Sequence, residues 1–253
     1  EKAAKKQNFE FKGLKKKGRD EEDVFNGRFI KTPEGSDDRP FFHALRDKTH
    51  SLFAGTVYHL SKNFYDQELD VLFIDEASQV STADVIAMGR CARNLVLVGD
   101  SQQLAMPIRA KHPNESGKSC LDFLIDQDTI PKNRGIFLNI TRRLAPEINS
   151  FISENFYDGR LKFHPTTEKR KIIFTKKEKI FNKPGIYYLP MNHENNSQLS
   201  EEEGKVVCKL YDRFLKAKFI DKDEKERNFT VRDILVISPY NIQVNYLKSI
   251  LPK

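Results

Sequence analysis

Two continuous apolar runs, each followed by carboxylates, constrain the fold of this 253-residue chain more than any other feature. Residues 71–74 read Val-Leu-Phe-Ile and lead directly into Asp75 and Glu76. Residues 95–98 read Leu-Val-Leu-Val and lead, after one glycine, into Asp100. Short apolar runs of this kind are typical of strands that are buried on both faces of a parallel sheet. The sequence therefore predicts two such strands with acidic side chains at their carboxyl ends.

A helix is predicted between the two strands. Ser81 is a suitable N-cap because Asp84 follows three residues later, and Gly89 loosens the end of the apolar segment. Strand, helix and strand within roughly thirty residues form a βαβ unit. Ligands of open parallel sheets collect at the carboxyl ends of the strands. We therefore expect four side chains to share one ligand site: Asp75, Glu76, Asp100 and Gln103.

Adjacent carboxylates at the end of a strand can divide the tasks of phosphoanhydride hydrolysis. Mg²⁺ prefers one or two carboxylates together with phosphate oxygens, and the attacking water needs a group that orients and deprotonates it. Asp75 and Glu76 could supply one function each. The alternative is structural, because an Asp-Glu pair can be a polar end to a strand with Glu76 capping the next element. The dipeptide by itself is compatible with both interpretations.

The two strand endings together resemble a known family. Asp-Glu-Ala-Ser-Gln after the first strand and Gly-Asp-Ser-Gln-Gln-Leu after the second resemble motifs II and III of superfamily 1 helicases. The likeness is to the branch that contains the nonsense-mediated-decay RNA helicase and its DNA-acting relatives. This resemblance implies that Asp75 holds Mg²⁺, that Glu76 is the catalytic base, and that Gln103 senses the γ-phosphate of ATP. Asp100 is assigned to the same nucleotide site.

A third motif supplies two arginines. Residues 141–148 read Thr-Arg-Arg-Leu-Ala-Pro-Glu-Ile and precede an apolar stripe at helical spacing, with Pro146 where a first helical turn tolerates proline. The segment resembles motif IV of the same family, often Gln-Tyr-Arg-Met-His-Pro, and places Arg143 at its arginine finger. Arg142 stands where the family has tyrosine, so the finger is left open between the two arginines. Both could also be surface residues near the start of a helix.

Two hydroxyl residues are predicted to contact nucleic acid. Residues 52–57 read as a strand, and Thr56 lies in a Gly-Thr segment that contacts the nucleic-acid backbone in the family. Thr56 could equally be an ordinary strand residue. Ser238 and Tyr240, with Gln243 after them, resemble the family's Thr-Pro-Tyr-x-x-Gln element near the nucleic-acid track. The implied partner is single-stranded DNA or RNA, because the branch includes proteins that act on each.

The remaining pattern predicts further elements of an α/β fold. Strands are expected at residues 136–138, 186–189 and 234–237, and helices at residues 122–125, 201–215 and 244–251. Residues 162–183 carry many lysines and predict a solvated loop with an edge strand, or alternatively a face that contacts phosphates.

Composition limits the partners and the compartment. The net charge is +7, which favours a polyanionic partner. The cysteines are far apart and have no metal-site spacing, so neither a zinc site nor an iron–sulfur cluster is predicted, and free thiols in a reducing cytoplasm are expected: Cys91, Cys120 and Cys208. The sequence shows no apolar run of membrane-spanning length and no signal peptide, so no membrane partner is predicted. We expect a monomer.

The predicted organisation has three parts. Residues 1–50 lack sustained periodicity and predict a charged, solvated extension, or alternatively the end of an insertion that touches nucleic acid. Residues 51–135 are expected to form the C-terminal part of a first RecA-like lobe, and residues 136–253 the N-terminal part of a second. The fold class is therefore α/β, with RecA-like parallel sheets flanked by helices in two tandem motor lobes.

One family motif has no counterpart in the sequence. No Gly-x-x-x-x-Gly-Lys-Ser/Thr loop occurs, and this loop precedes all the other motifs in the P-loop NTPase fold of the family. We therefore expect an internal fragment of a larger ATP-hydrolysing helicase, inactive by itself. The alternative is a catalytically inert nucleic-acid-binding or scaffold module that keeps the helicase fold. A nuclease is disfavoured, because no cluster of acids with a lysine at nuclease-like spacing stands out.

Overall fold

The structure is a computed structural model whose chain divides into two compact units, Glu1–Thr129 and Ile130–Lys253. It describes residue 7 and residues 13–16, 29–32, 38–108, 110, 112–125, 129–174, 180–181 and 183–252. Part of the predicted N-terminal extension and part of the lysine-rich run at residues 162–183 therefore lie outside the described residues. None of the helices in the described ranges is long and apolar enough to cross a membrane.

The first unit begins with a small parallel sheet. Its strands are β1 (Gly13–Lys16), β2 (Phe29–Thr32) and β3 (Leu52–Ala54), and β1 lies in the middle. Helix α1 (Arg39–Arg46) has proline in its first turn, and its Phe41 is fully buried in the hydrophobic core. The prediction of a solvated extension over residues 1–50 is therefore wrong for these segments, because pairing with β3 and burial of Phe41 depend on contacts with residues beyond 50.

The predicted βαβ unit is confirmed. Strand β4 (Leu69–Ile74) pairs in parallel with β5 (Ala92–Leu97), and α3 (Thr82–Gly89) connects them. Ser81 caps α3 as predicted, because its Oγ accepts a hydrogen bond from the Asp84 backbone N–H at 3.1 Å and donates to the Asp84 carboxylate at 2.8 Å. The two strands therefore end at the same edge of the sheet.

The prediction that both strands are buried on both faces is wrong. Ile74 is 5% exposed, whereas its neighbour Phe73 is 67% exposed. Successive side chains of a strand point to opposite faces of a sheet, so only one face of β4 is packed. On β5, Leu95 and Val96 are both exposed although their side chains point to opposite faces, so neither face of this strand is fully covered by the described elements.

The core of the first unit lies on the packed face of β4. Short elements cover it: α2 (Val57–Leu60), the 3₁₀ turns Asn63–Tyr65 and Ala77–Gln79, and α4 (Cys120–Leu124), which Ser119 caps. Val57 begins a helix rather than continuing β3, which corrects the predicted strand over residues 52–57. The buried cluster contains Phe41, Ala44, Leu60, Tyr65, Leu72, Ile74, Ala77, Val85, Met88, Cys91, Cys120 and Leu121.

The cysteines are free thiols. Cys91 and Cys120 are buried in the first unit, and burial raises the pKa of both thiols above the ordinary range for cysteine. A raised pKa disfavours the thiolate, which is the form that reacts and binds metals.

The second unit combines a short parallel pair with an antiparallel sheet. Strands β6 (Ile140–Thr141) and β7 (Lys162–Phe163) are parallel and are connected by α5 (Pro146–Phe156). Strands β8 (Lys171–Ile173), β9 (Lys218–Ile220) and β10 (Glu226–Asn228) are antiparallel with β9 in the middle, so β8 is the edge strand expected in the lysine-rich run. The long helices are α6 (Glu201–Leu215) and α7 (Asn241–Ile250), close to their predicted bounds.

Three predicted strands are not formed in the described structure. The segments at residues 136–138, 186–189 and 234–237 have no strand assignment. Their apolar side chains are exposed, for example Ile136 at 86% and Leu235 at 82%. Apolar composition favours a strand, but a strand also needs a neighbour that supplies the ladder of hydrogen bonds. These segments lack that neighbour within the described ranges.

Asp233 anchors the start of the segment that leads to Ser238. Its carboxylate accepts two hydrogen bonds from the Arg227 guanidinium, at 2.6 and 2.7 Å, and one each from the Thr230 backbone N–H and hydroxyl, at 2.8 and 2.7 Å. These bonds, led by those of Arg227, hold the pKa of Asp233 far below its ordinary value. The bonds that depress this pKa stabilise the folded protein at pH values above about 3.9, the pKa of aspartate in an unfolded chain. The stabilisation is lost as the pH falls from there toward the lower pKa of the folded state.

We expect Asp233→Asn to lower the melting temperature at pH 7 by about 2–4 °C and to reduce the loss of stability between pH 5 and pH 2. Thermal unfolding followed by circular dichroism at several pH values measures both effects. Asp212→Asn, at an exposed position of α6, is the matched control. An Asp233→Asn protein that melts like the wild type at pH 7 and loses as much stability on acidification would contradict this expectation.

Candidate functional site

The carboxyl end of β4 carries two exposed carboxylates. Asp75 and Glu76 follow Ile74 directly, and the Glu76 backbone N–H donates a hydrogen bond to Asp75 Oδ1 at 3.1 Å. Glu76 adopts a left-handed conformation with φ 53° and ψ 44°. A non-glycine residue in this region costs about 1–3 kcal/mol, and such strain concentrates at functional sites.

Glu76 takes up the capping position that the structural interpretation predicts, but its side chain does not cap. It is the N-cap residue of the 3₁₀ turn Ala77–Gln79 and makes no side-chain hydrogen bond to it. Within the described part of the chain, the Glu76 carboxylate has no hydrogen-bond or ion-pair partner. Its oxygens are therefore available to an external proton donor such as water.

The ends of β4 and β5 are joined by backbone contacts. The Ala77 N–H donates to the Val98 carbonyl at 2.9 Å, and the Val98 N–H donates to the Ile74 carbonyl at 2.8 Å. Gly99 passes so close to this turn that a Cβ there would lie 3.0 Å from the Ala77 nitrogen and 3.1 Å from the Ser78 nitrogen. The two strand endings therefore form one rigid edge, and glycine is required where they meet.

Asp100 and Gln103 are connected by a direct hydrogen bond. Gln103 Nε2 donates to Asp100 Oδ2 at 2.9 Å, and the Gln102 backbone N–H donates to Asp100 Oδ1 at 3.0 Å. The Gln79 side chain also donates to the Leu104 carbonyl, which ties the turn after β4 to this loop. A glutamine Nε2 carries two hydrogens, so Gln103 keeps one for an anion while Asp100 holds its side chain in place.

The side chains at this edge of the sheet fit a Mg²⁺ ion whose other ligands are phosphate oxygens. Among the described residues there is no group of three or more His, Cys, Asp or Glu side chains that could hold a metal. A site made only of protein ligands is therefore not formed there. Mg²⁺ is commonly bound through one or two carboxylates together with substrate phosphates, and Asp75 offers an exposed carboxylate at a strand end.

The two arginines of the third motif lie on one exposed turn of the second unit. Thr141 Oγ1 accepts hydrogen bonds from the backbone N–H groups of Arg143 and Leu144, at 3.2 and 3.4 Å. This hydroxyl-centred turn fixes the backbone just before α5, which starts at Pro146. Neither guanidinium has a carboxylate partner among the described residues. Arg142 and Arg143 therefore lie on the same turn, and both guanidinium groups are exposed and able to bind an anion.

The predicted nucleic-acid residues precede helices; Thr56 and Tyr240 are exposed, and Ser238 is half-buried. Thr56 is the N-cap residue of α2, where its hydroxyl makes no capping bond. Ser238 and Tyr240 precede α7, and Tyr240 is its N-cap residue. Thr56 lies in the first unit, and Ser238 and Tyr240 lie in the second. The Thr56 hydroxyl is exposed, whereas Ser238 Oγ accepts a hydrogen bond from the Tyr240 backbone N–H at 3.5 Å and can still donate its own hydrogen.

A buried polar cluster supports the turn that carries Thr56, and no pattern in the sequence predicted it. The Thr56 carbonyl accepts backbone bonds from His59 and Leu60, both of which are buried. His59 Nε2 lies 2.8 Å from the Tyr65 hydroxyl, and His59 Nδ1 lies 3.3 Å from an Asp38 carboxylate oxygen. Burial, reinforced by the Asp38 charge, raises the pKa of Tyr65. The three side chains come from separate segments, so no local spacing could predict their contact.

Gln243 also has a role that sequence reasoning did not assign. It is 6% exposed, and its amide bonds to both backbone groups of Ser200. Its place in the Ser-Pro-Tyr-x-x-Gln element marked Gln243 as a residue of interest. That motif does not predict a hydrogen bond to Ser200, which lies 43 residues earlier in the chain.

Comparisons with known proteins agree on one family. A family model described as an AAA domain matches residues 117–253, more than half of the chain. The DNA polymerase alpha-associated DNA helicase A of Saccharomyces cerevisiae is 29% identical over 213 residues, covering 78% of this chain and 31% of the relative. The helicase sen1 of Schizosaccharomyces pombe is 30% identical over 197 residues, covering 76% of this chain and 11% of the relative.

A third relative extends the comparison to the branch named above. The regulator of nonsense transcripts 1 homolog of Drosophila melanogaster is 28% identical over 182 residues, covering 70% of this chain and 14% of the relative. The chain spans less than a third of the length of these relatives. Its mixed α/β architecture, with parallel strand pairs and flanking helices, is consistent with a RecA-like helicase domain. The chain therefore belongs to the superfamily 1 helicases, in the branch of the nonsense-mediated-decay helicase and its sen1-like and DNA-acting relatives.

Proposed function

We propose that this chain is the nucleotide-hydrolysing and strand-contacting part of an ATP-driven helicase or translocase for single-stranded DNA or RNA. One observation carries the proposal. Four polar side chains follow two neighbouring parallel strands whose ends are locked together through Ala77, Val98 and Gly99. These side chains are Asp75, Glu76, Asp100 and Gln103, and they occupy the edge at which open α/β sheets bind ligands.

Each residue then has a specific task. Asp75 contributes a carboxylate to Mg²⁺, which neutralises phosphate charge when it is bound with ATP. Glu76 orients the attacking water and accepts its proton, since its carboxylate has no competing partner among the described residues. Gln103, held by Asp100, donates a hydrogen bond to the γ-phosphate. Arg143 is the proposed arginine finger, which would stabilise the charge that develops in the transition state.

The wider organisation is part of the proposal. Residues 51–135 and 136–253 belong to two tandem RecA-like motor lobes of a longer protein, which acts as a cytoplasmic monomer. The nucleic-acid strand passes Thr56 in the first lobe and Ser238 and Tyr240 in the second. Support comes from the exposed Thr56 hydroxyl and the exposed Tyr240 ring, and the family resemblance implies movement from 5′ to 3′.

The 253-residue chain alone is expected to hydrolyse no measurable ATP. Its sequence lacks the phosphate-binding loop, and positioning of the substrate supplies most of phosphoryl-transfer catalysis. Steady-state ATPase measurements with and without single-stranded nucleic acid test this. Robust stimulated turnover that Glu76→Gln abolishes would contradict it. A full-length protein without ATPase activity would instead identify the inert nucleic-acid-binding module.

Nucleic-acid binding by the chain should be weak and steeply dependent on salt. Lysine and arginine contacts with phosphates release counterions, so the affinity falls by about 10-fold or more between 50 and 200 mM salt. Thr56→Ala and Ser238→Ala should each weaken binding of a labelled oligonucleotide by about 3-fold to 10-fold, because a solvent-accessible hydrogen bond makes a net contribution of roughly 1 kcal/mol.

The N-terminal lysines provide the control for this binding route. Lys15 and Lys16 lie in β1, so they are replaced by glutamine together with Lys17 rather than deleted. The triple variant should keep most of the binding. If it loses most of the binding while Thr56→Ala and Ser238→Ala bind normally, the proposed route is wrong.

A further inference from the structure

We propose that Gln243 is a positioning residue for nucleic-acid binding: its buried amide fixes the Ser238–Tyr240 turn against the first turn of α6. This inference rests on the proposed function, because it concerns the contact that Ser238 and Tyr240 make with the strand. Gln243 lies in the first turn of α7, three residues after Tyr240. It does not touch the nucleic acid in this account and acts through the turn that precedes it.

The contact uses both ends of the Gln243 amide. Gln243 Oε1 accepts a hydrogen bond from the Ser200 backbone N–H at 2.8 Å, and Gln243 Nε2 donates to the Ser200 carbonyl at 3.0 Å. Both residues are buried, at 6% exposed each. A side-chain amide offers a donor and an acceptor on two adjacent atoms. The pair therefore fixes the backbone at Ser200 in one orientation relative to α7.

Hydrogen bonds of its own side chain hold Ser200 in place at the start of α6. Its hydroxyl caps α6 by accepting a hydrogen bond from the Glu203 backbone N–H at 3.2 Å. The same hydroxyl donates to the Glu202 carboxylate at 3.2 Å, which also accepts from Asn196 Nδ2 at 3.1 Å. Gln243 thus joins α7 to a helix start that is already held by the cap of Ser200 and by the Glu202 and Asn196 side chains.

Two more contacts between α6 and α7 lie further along both helices. A Cβ on Gly204 would lie 2.5 Å from Tyr246 Cε1, so the helices approach closely there. The Cys208 thiol contacts the Ile250 carbonyl at 3.6 Å, one turn beyond. These contacts hold the middle and the end of α7, whereas Gln243 holds its beginning. The Tyr240 carbonyl accepts the Val244 N–H at 3.0 Å, so a shift of the first turn of α7 moves Tyr240 and the adjoining Ser238.

A purely structural role would give a different result from a positioning role. Replacing Gln243 by leucine removes both hydrogen bonds and keeps the side-chain size. We expect Gln243→Leu to remain folded by circular dichroism and to bind a fluorescein-labelled single-stranded oligonucleotide at 50 mM salt about 10-fold more weakly. Ser238→Ala in the Gln243→Leu background should then add less than about 2-fold, because the hydroxyl is already displaced. Gln198→Leu, an exposed glutamine in the same unit, should bind like the wild type.

A second variant keeps the test decisive if Gln243→Leu fails to fold. In Gln243→Glu, a protonated carboxyl still offers one donor and one acceptor to Ser200, whereas a carboxylate offers none to the Ser200 carbonyl. Burial of this position disfavours ionisation of the introduced group. We therefore expect Gln243→Glu to match the wild type within about 2-fold at pH 5.5 and to bind about 10-fold more weakly at pH 8.

Comparison with the wild type at each pH removes effects of pH that both proteins share. The inference is overturned if folded Gln243→Leu binds like the wild type, or if Gln243→Glu shows the same ratio to the wild type at both pH values. In those cases Ser238→Ala distinguishes the role of Gln243 from the proposed function. If Ser238→Ala weakens binding, the proposed contact of Ser238 with nucleic acid stands and only the role of Gln243 is rejected. A wild-type chain that binds no oligonucleotide at 50 mM salt overturns both.

Discussion

Arg143→Ala in the full-length helicase is expected to lower kcat for ATP hydrolysis by about 10³-fold or more, with the affinity for ATP nearly unchanged. An arginine finger acts on charge that develops only in the transition state, so its loss affects turnover rather than ground-state binding. Arg143 is suited to this task because its backbone is fixed by the Thr141 hydroxyl and its guanidinium has no carboxylate partner among the described residues. Steady-state ATPase kinetics together with equilibrium binding of a labelled nucleotide separate the two quantities.

Arg142→Ala is the matched control, since it removes the same charge from the same exposed turn. We expect a modest reduction in kcat of about 10-fold or less, because only Arg143 keeps the spacing of three residues to Pro146 that the family motif has. The reverse ranking would move the finger to Arg142. If neither substitution changes kcat, the motif takes no part in catalysis and both arginines are surface residues at the start of α5.

Glu76→Gln in the full-length protein should lower kcat by about 10²-fold to 10⁴-fold while ATP still binds. Glutamine keeps the size and the left-handed backbone of Glu76 but cannot accept the proton of the attacking water. Asp75→Asn should differ from Glu76→Gln because Asp75 is the proposed Mg²⁺ ligand. We expect Asp75→Asn to raise the Mg²⁺ concentration that gives half-maximal ATPase activity, and Glu76→Gln to leave that concentration unchanged. A Mg²⁺ titration of the ATPase rate, combined with nucleotide binding, distinguishes the two substitutions.

The matched control for this prediction lies at the opposite end of the same strand. Glu68 precedes β4 and is exposed, so Glu68→Gln removes the same charge far from the proposed site and should leave kcat unchanged. Normal turnover by Glu76→Gln would eliminate the general-base role. Equal losses from Glu68→Gln and Glu76→Gln would show a general effect of charge on the fold.

The sequence predicted correctly those helices whose start or pattern depends on residues close to one another in the chain. The N-cap Ser81 with Asp84, the proline at the start of α5 and the amphipathic pattern of α6 each fix a helix through contacts within a few residues. The predicted strands 136–138 and 234–237 failed because strand formation depends on a partner that is distant in sequence.

The candidate site shows the same division. The order of acidic and amide residues after two apolar runs determined the family, the βαβ unit and the four side chains at one sheet edge. Only the tertiary structure decided that Glu76 is in a left-handed turn without a capping bond, that Asp100 holds Gln103, and that Gln243 binds the backbone of Ser200. Caps, turns and motif spacing act over a few residues and are written in the local sequence. Hydrogen bonds between distant segments depend on how the whole chain packs, so they appear only in the folded molecule.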